Sequence, residues 1–191
     1  NMTNQELIKA CIKNQRVAQK ALYDQYRGQM YSVCLRYCPD QDTACDALQE
    51  GFINVFENIH RLTDPLRLSS WIKKIIVRTS LEQLRKLKKL NFVQLEELPH
   101  LDNSGYSETI FELDYNYDKL LAHLNSMPSG YKTIFSMYVL DELNHQEIAE
   151  ILSIDISTSR TQLHKARKYM QHLILNDKSL AQELKLRIQA S

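Results

Sequence analysis

The sequence predicts an all-α protein made of two small helical domains that are joined by an acidic linker. The chain of 191 residues contains only 4 Gly and 4 Pro, which argues against an architecture of strands and tight turns. Apolar residues recur instead at the spacing of amphipathic helices. Two series that should be buried are Leu7, Ile8, Cys11 and Ile12, and Leu22, Tyr26, Met30, Val33 and Tyr37.

The domain boundaries follow from the distribution of charge. The formal net charge of +1 conceals eight basic residues and one acid in residues 67–89, followed by seven acids and no Lys or Arg in residues 90–118. The acidic stretch contains Pro99 and "DNSG" and has no sustained helical period, which is typical of a linker. We therefore expect domains at 5–90 and 115–175, a linker at 91–114 and a C-terminal extension at 176–191. Separate charge blocks of this kind indicate an electrostatic partner.

Several classes of protein are not supported. No apolar run is long enough to cross a bilayer, and the N-terminal "NMTNQELIKACIKN" is polar and amphipathic, unlike a signal peptide, so we expect a cytoplasmic protein without membrane insertion. No phosphate-binding loop, metal-ligand spacing or catalytic triad is evident, so we expect neither an enzyme nor a cofactor. His145, His164 and His172 are expected at a helical surface. The cysteines are expected to be buried thiols: Cys11, Cys34, Cys38 and Cys45.

An acidic helix face is the first candidate binding surface. A helix is expected to begin near Asp42 or Thr43, and Cys45 belongs to the stripe that should be buried. The opposite face follows helical spacing and carries Asp46, Gln49, Glu50, Ile53 and Glu57. This face is either a solvated surface or a docking surface for a basic partner. An exposed isoleucine surrounded by charge favours docking.

A basic helix is the second candidate surface. Ser69 or Ser70 is the expected N-cap, and Trp71 is expected in the core, with a base-stacking role as the alternative. Cations at steps of three and four form a stripe that suits the phosphate backbone of DNA, although a solvated helix surface is the alternative. The candidate residues of this segment are Arg67, Lys74, Arg78, Glu82, Arg85 and Lys89.

The C-terminal domain has the spacing of a helix-turn-helix, with a plain helical hairpin as the alternative. Asn144 is expected to cap the first helix of the pair, and Ser153, Ile154 and Asp155 form the corner. Ser153 stands where Gly is frequent, so we expect a backbone without positive φ there. Arg and Gln side chains can read base edges, while Lys and Thr suit phosphates. The exposed set of the second helix is Ser157, Arg160, Thr161, Gln162, His164, Lys165, Arg167 and Lys168.

Taken together, both halves resemble one known family. "ALYDQYRGQMYSVCLRYCPDQDTACDALQEGFINVFENI" followed by "WIKKIIVRTSLEQLRK" resembles the second conserved region of bacterial RNA polymerase sigma factors. "MPSGYKTIF" and "HQEIAEILSIDISTSRTQLHKAR" resemble the fourth region. Two regions joined by a short linker are the layout of the extracytoplasmic-function (ECF) group. The resemblance covers roughly residues 18–175.

The resemblance implies a role for each surface. The acidic helix would bind core RNA polymerase, the segment from His60 through the basic helix would bind and help to melt the −10 element, and the last helix would read the −35 element. The linker would thread through the polymerase, and an anti-sigma factor is a further partner that the resemblance allows. The alternative is a helix-turn-helix regulator that binds DNA alone through an N-terminal sensing or interaction domain.

Overall fold

The computed structural model describes residues 3–88 and 117–177. The chain divides into two compact units, Asn1–Asn91 and Phe92–Ser191. Every regular element of the described residues is helical, which confirms the predicted all-α class. The predicted linker at 91–114 lies outside the described residues, as do Lys89 and residues 178–191 of the predicted extension.

Four helices and two short 3-10 turns form the described part of the first unit. The helices are α1 (Asn4–Ile12), α2 (Arg16–Tyr37), α3 (Gln41–Asn58) and α4 (Leu68–Lys88), and the turns between α3 and α4 are Ile59–Arg61 and Pro65–Arg67. Thr3 and Glu6 form a capping box that starts α1. The amphipathic pattern predicted this arrangement because each helix must bury one apolar face against its neighbours.

The core of the first unit lies where α2, α3 and α4 pack together. Leu22, Met30, Val55 and Ile72 are fully buried there. The ring of Phe52 meets Tyr23 edge-on, with 4.8 Å between ring centroids. The mutual packing of these three helices fixes the position of the α3 and α4 surfaces relative to each other.

A glycine permits the closest approach between α3 and α4. A Cβ atom built on Gly51 would lie 2.5 Å from Cδ1 of Ile76 and 3.7 Å from the Cα of Ile76. Ile76 is fully buried, so its side chain has little room to move away. The absence of a side chain at Gly51 therefore brings the two helices together.

Of the two helix starts predicted in the first unit, that of α3 lies within one residue of the prediction and that of α4 does not. Helix α3 begins at Gln41, because Asp40 is the N-cap and its Oδ1 accepts a 2.8 Å hydrogen bond from the backbone N–H of Thr43. Helix α4 begins at Leu68, directly after the turn Pro65–Arg67, so the predicted serine N-cap was wrong. Ser70 lies inside the helix, and its hydroxyl donates to the carbonyl of Arg67.

Two apolar side chains predicted to be buried are exposed. Ile12, the last residue of α1, is 45% exposed. Cys45 is exposed because the buried face of α3 passes through its neighbour Ala44 instead. Cys11, Cys34 and Cys38 are buried free thiols, as predicted. A helix places adjacent residues about 100° apart, so a stripe displaced by one position brings a different residue to the surface.

Four helices and one π-helical turn form the described part of the second unit. They are α5 (Tyr117–Ser126), α6 (Ser129–Phe135), the turn Ser136–Leu140, α7 (His145–Leu152) and α8 (Ile156–Asn176). Helix α8 packs against α6, α7 and α5. Tyr131, Phe135, Ile148 and Met170 are buried between these elements. Asn144 and Glu147 form a capping box at the start of α7, which confirms the predicted cap.

The corner between α7 and α8 contains a left-handed residue. Ser153 has φ 56° and ψ 48°, so the prediction that this position avoids positive φ was wrong. The backbone N–H of Ile154 donates a 3.0 Å hydrogen bond to the carbonyl of Ala149, which closes the end of α7. This geometry requires a left-handed residue just after the helix whatever side chain it carries, and Ser therefore adopts a conformation that Gly adopts more easily.

Candidate functional site

The outer face of α3 presents the predicted acidic surface. Asp46, Gln49, Ile53 and Glu57 are all exposed, and the side chain of Ile53 is 57% accessible. They project outward because Ala44, Leu48 and Phe52 turn the opposite side of the same helix into the core. An exposed isoleucine flanked by carboxylates offers apolar contact area together with negative charge.

Glu50 differs from the other members of this face because it contacts α4. One carboxylate oxygen accepts a hydrogen bond from the side-chain amide of Gln83, and the other lies 3.6 Å from Nζ of Lys86. The side chains of Glu50 and Lys86 are 40% and 62% accessible. Glu50 is therefore shared between the acidic face and the basic helix.

The segment between α3 and α4 forms a projecting loop. Oδ1 of Asp64 accepts a 2.9 Å hydrogen bond from the backbone N–H of Leu66, which initiates the turn Pro65–Arg67. The side chain of Leu66 is left 91% exposed. Arg67 is also exposed, with Nε 3.6 Å from Oδ2 of Asp64. An ordered turn thus holds an apolar side chain and a cation out into solvent.

The predicted cations of α4 have differing environments. Arg78 is exposed, and its Nε lies 3.8 Å from Oε1 of Glu82. Lys74 and Arg85 are half-buried and each takes part in an interaction. Trp71 is half-buried, so it belongs neither fully to the core nor to the open surface. The described part of the predicted basic stripe therefore lies on one helix but is partly engaged within the protein.

The residues of α8 that are predicted to contact DNA lie in a central stripe along the helix and on the two sides of that stripe. Steps of four, three and four residues put four side chains on one stripe: Ser157, Thr161, His164 and Lys168. Lys165 is exposed beside this stripe, while Arg160 and Arg167, seven residues apart, form the flank on the α7 side. Gln162 lies on the other flank, and it is half-buried with a buried amide oxygen that has no hydrogen-bond partner within the described residues.

An aromatic cluster connects α8 to the start of α7. The guanidinium of Arg167 lies 5.4 Å from the ring centroid of Tyr138, which in turn lies 4.7 Å from the ring centroid of His145. Nδ1 of His145 is 2.9 Å from the hydroxyl of the buried Ser159. His145 is half-buried, so its predicted surface position was only partly right. Burial lowers the pKa of His145, and the charges of Arg160 and Arg167 act in the same direction.

The described residues contain no group of three or more His, Cys, Asp or Glu side chains that could hold a metal ion. Burial raises the pKa of Cys34, and it raises that of Cys38 to about 12, so both stay protonated thiols at neutral pH. Among the same residues, no helix is long and apolar enough to cross a membrane.

Sequence reasoning missed three features of these surfaces. It did not identify the contact of Glu50 with Gln83 and Lys86, the projecting Leu66, or the Tyr138–His145 cluster. The first and third join residues of different helical elements, and the periodicity of a single helix cannot detect such contacts. The Asp-Pro pair that precedes Leu66 was an available signal for a capped turn.

Comparisons with known proteins match both units. The family described as Sigma-70 region 2 matches residues 22–90, and the family described as Sigma-70, region 4 matches residues 117–170. The RNA polymerase sigma factor SigV of Bacillus subtilis is 30% identical over 146 residues, covering 76% of this chain and 84% of SigV. The ECF RNA polymerase sigma factor SigW of the same organism is 25% identical over 173 residues, covering 86% and 92%.

Solved structures share the fold. The structure of CnrH in complex with the cytosolic domain of CnrY aligns with a TM-score of 0.55 at 14% identity, over 90% of this chain and 97% of CnrH. The sigma factor RpoE of Bartonella quintana, solved in complex with the anti-sigma factor NepR, aligns with a TM-score of 0.54 at 14% identity, over 83% and 98%. The family matches and the Bacillus subtilis relatives favour a polymerase subunit over a helix-turn-helix regulator that binds DNA alone. The chain belongs to the ECF group of bacterial RNA polymerase sigma factors, which direct core polymerase to promoters and initiate transcription.

Proposed function

We propose that the surfaces described above divide the work of a non-catalytic initiation subunit that acts in the cytoplasm. The face on α3 binds core polymerase through Asp46, Gln49, Glu50, Ile53 and Glu57. The loop and α4 bind the −10 element through Arg67, Lys74, Arg78, Glu82, Arg85 and Lys89. Helix α8 binds the −35 element through Ser157, Arg160, Thr161, Gln162, His164, Lys165, Arg167 and Lys168.

The observation that carries this proposal is the packing of an acidic helix beside a basic one. Helices α3 and α4 make the most extensive contact of any helix pair in the described part of the first unit, and their exposed faces have opposite charge. A protein that binds only DNA would weaken its own attraction to phosphate by displaying Asp46 and Glu57 on the helix that packs against the basic one. A subunit that must hold a basic protein surface and DNA together needs both faces.

The polymerase assignment is tested by charge reversal. Asp46→Lys should weaken binding to core polymerase because it removes one attraction and adds one repulsion at an exposed position. Glu150→Lys is the matched control, since Glu150 is an exposed acid in the interior of α7, outside the face. Binding is measured by titration of labelled protein with core polymerase, and circular dichroism confirms helicity. Equal core affinity of the two variants would disprove the assignment.

The loop is proposed to hold an unpaired base of the −10 element. Flipping a base out of the duplex costs about a few kcal/mol, and a projecting apolar side chain beside a cation can offset part of this cost. Leu66 and Arg67 have these positions. Replacing residues 63–67 by a Gly/Ser linker, which keeps the buried Leu68 at the start of α4, should spare binding to core polymerase and to the −35 element but prevent opening, measured as permanganate reactivity of promoter thymines. Undiminished reactivity would mean that opening is driven elsewhere.

The −35 contacts are proposed to separate by chemistry. Arg160→Ala should reduce the preference among −35 sequences and cost about 1–3 kcal/mol if the guanidinium is bidentate to a guanine. Lys168→Ala should weaken binding to all sequences alike. It should also lower the magnitude of the slope of log K against log salt concentration by about one. Holoenzyme binding to a library of −35 variants distinguishes the two. Identical, sequence-independent losses would show that Arg160 contacts only phosphate.

We also propose an anti-sigma factor as a partner, because the Bartonella relative was solved with one. Such a partner must keep the protein from the polymerase. A candidate that binds this chain should therefore be displaced by core polymerase in a competition titration, and a candidate that binds the holoenzyme without displacement would not be an inhibitor of this kind.

A further inference from the structure

Lys86 is a cation of α4 whose charge is already engaged inside the protein. Its Nζ lies 3.6 Å from Oε1 of Glu50, and the amide of Gln83 donates to the other oxygen of the same carboxylate. Gln83 and Lys86 are one turn apart on α4, so they hold the carboxylate together from one side. The side chain of Lys86 is nevertheless 62% accessible, so a larger anion can reach it.

The carboxylate that engages Lys86 belongs to the proposed polymerase surface. Arg78 also has an acidic neighbour, with its Nε 3.8 Å from Glu82, but Glu82 lies on α4 itself. Glu50 lies on α3, one helical turn from Asp46 and from Ile53. A basic polymerase surface that binds this face must compete with Lys86 for Glu50.

We propose that Lys86 is a further contact for the DNA backbone. Glu50 engages the ammonium of Lys86 in the free protein and releases it when core polymerase binds the carboxylate. The proposal rests on the assignment of the α3 face to polymerase. An ion pair this exposed is weak, so a polymerase cation can replace Lys86 without unfolding the helix pair. The released ammonium then lies on the helix that faces the promoter.

The coupling acts in both directions. If polymerase favours the state with a free Lys86, then DNA that binds Lys86 must favour the state with a free Glu50, and must raise the affinity for polymerase by the same factor. The free protein thus displays one phosphate contact fewer than the holoenzyme. This difference is measurable because each neutralised phosphate changes the slope of log K against log salt concentration by about 0.9.

Lys86→Ala tests the proposal in two settings. For the holoenzyme on promoter DNA, the variant should lower the magnitude of the slope of log K against log salt concentration by about 0.9, the contribution of one phosphate. For the free protein on a non-specific duplex, it should change the slope less than in the holoenzyme, since Glu50 competes with phosphate for Lys86. Equal effects in both settings, or no effect in either, would overturn the proposal.

Glu50→Gln provides the reciprocal test. The amide oxygen of Gln can still accept from Gln83, so the helix contact persists while the charge is lost. In the free protein, the slope of log K against log salt concentration should become steeper by about the contribution of one phosphate. The Glu50→Gln/Lys86→Ala double variant should not show this steeper slope. Asp42→Asn removes one charge from an exposed position of the same helix and is the matched control, expected to produce no such gain. A gain of equal size with Asp42→Asn would mean that long-range charge, not the Lys86 contact, is responsible.

The core-polymerase titration separates failure of this proposal from failure of the polymerase assignment. If Asp46→Lys leaves core affinity unchanged, the assignment of the α3 face fails, and with it the release step. If Asp46→Lys weakens core binding while Glu50→Gln adds no slope in the free protein, the assignment stands and the engagement of Lys86 by Glu50 is overturned.

Discussion

Replacing Gly51 by Ala should destabilise the first unit, although the same change usually stabilises a helix. Ala in place of a mid-helix Gly gains about 0.5–1 kcal/mol. At Gly51, however, the new Cβ would lie 2.5 Å from Cδ1 of the fully buried Ile76. Overpacking of this kind costs about 1–3 kcal/mol, so we expect a net loss of about 1 kcal/mol.

Gly28 is a matched control for this substitution. It lies in the interior of α2, and a Cβ built there meets nothing within 4 Å. Gly28→Ala should therefore stabilise the unit by about 0.5–1 kcal/mol, which is the helix-propensity gain alone. The difference between the two variants measures the packing between α3 and α4.

A second substitution identifies the atom responsible. Ile76→Val removes Cδ1, the atom nearest to the new Cβ, and by itself should cost about 0.5–1.5 kcal/mol. Combined with Gly51→Ala, it should cost less than the sum of the two single changes, with a coupling of about 1 kcal/mol. Additive losses would contradict a clash with Cδ1, since Cγ1 and Cα of Ile76 lie at the ordinary contact distances of 3.6 Å and 3.7 Å from the new Cβ.

Urea unfolding followed by tryptophan fluorescence is the assay. The chain contains one Trp, and this residue, Trp71, lies in α4, so the signal reports the first unit. Variants are compared by the midpoint at a constant slope of unfolding free energy on urea concentration. If Gly51→Ala were as stabilising as Gly28→Ala, the close approach of α3 and α4 would be refuted, and with it the geometry that places Glu50 beside Gln83 and Lys86.

Three further predictions concern single positions. Ser153→Gly should stabilise the second unit by about 1 kcal/mol, whereas Ser153→Ala should not, because the residue has φ 56°; thermal unfolding by circular dichroism checks this. In the native protein one thiol, that of the exposed Cys45, should react rapidly with a disulfide reagent, while the buried Cys38, whose pKa is raised to about 12, should react only on unfolding; mass spectrometry identifies the labelled site. Because burial lowers the pKa of His145 in the fold, the unfolded state binds the proton of this imidazole more readily. The free energy of unfolding should therefore fall as the pH drops below the ordinary His pKa near 6.5. His145→Gln should remove this part of the pH dependence in urea titrations, and an unchanged pH profile would contradict the prediction.

The sequence alone determined the helical class, the surfaces and the family. Periodicity at three and four residues is a local property of the chain, so the exposed positions of Asp46, Ile53 and Arg160 could be derived before any packing was known. The cap at Asn144 was also predictable, since a capping box spans only four residues. Two motif sets in the right order then indicated a sigma factor, which the family matches confirm.

Only the tertiary structure decided which side chains contact a neighbouring helix, which are exposed, and what backbone the corner between α7 and α8 adopts. The contact of Glu50 with Lys86 joins residues on different helices, and it depends on the close approach that Gly51 permits. The left-handed backbone of Ser153 follows from the path between α7 and α8, which outweighs the preference of a serine side chain. Cys45 became exposed because the packing of α3 buried Ala44 instead. In each case the packing between elements decides the outcome. The helical periodicity of one segment gives no information about that packing.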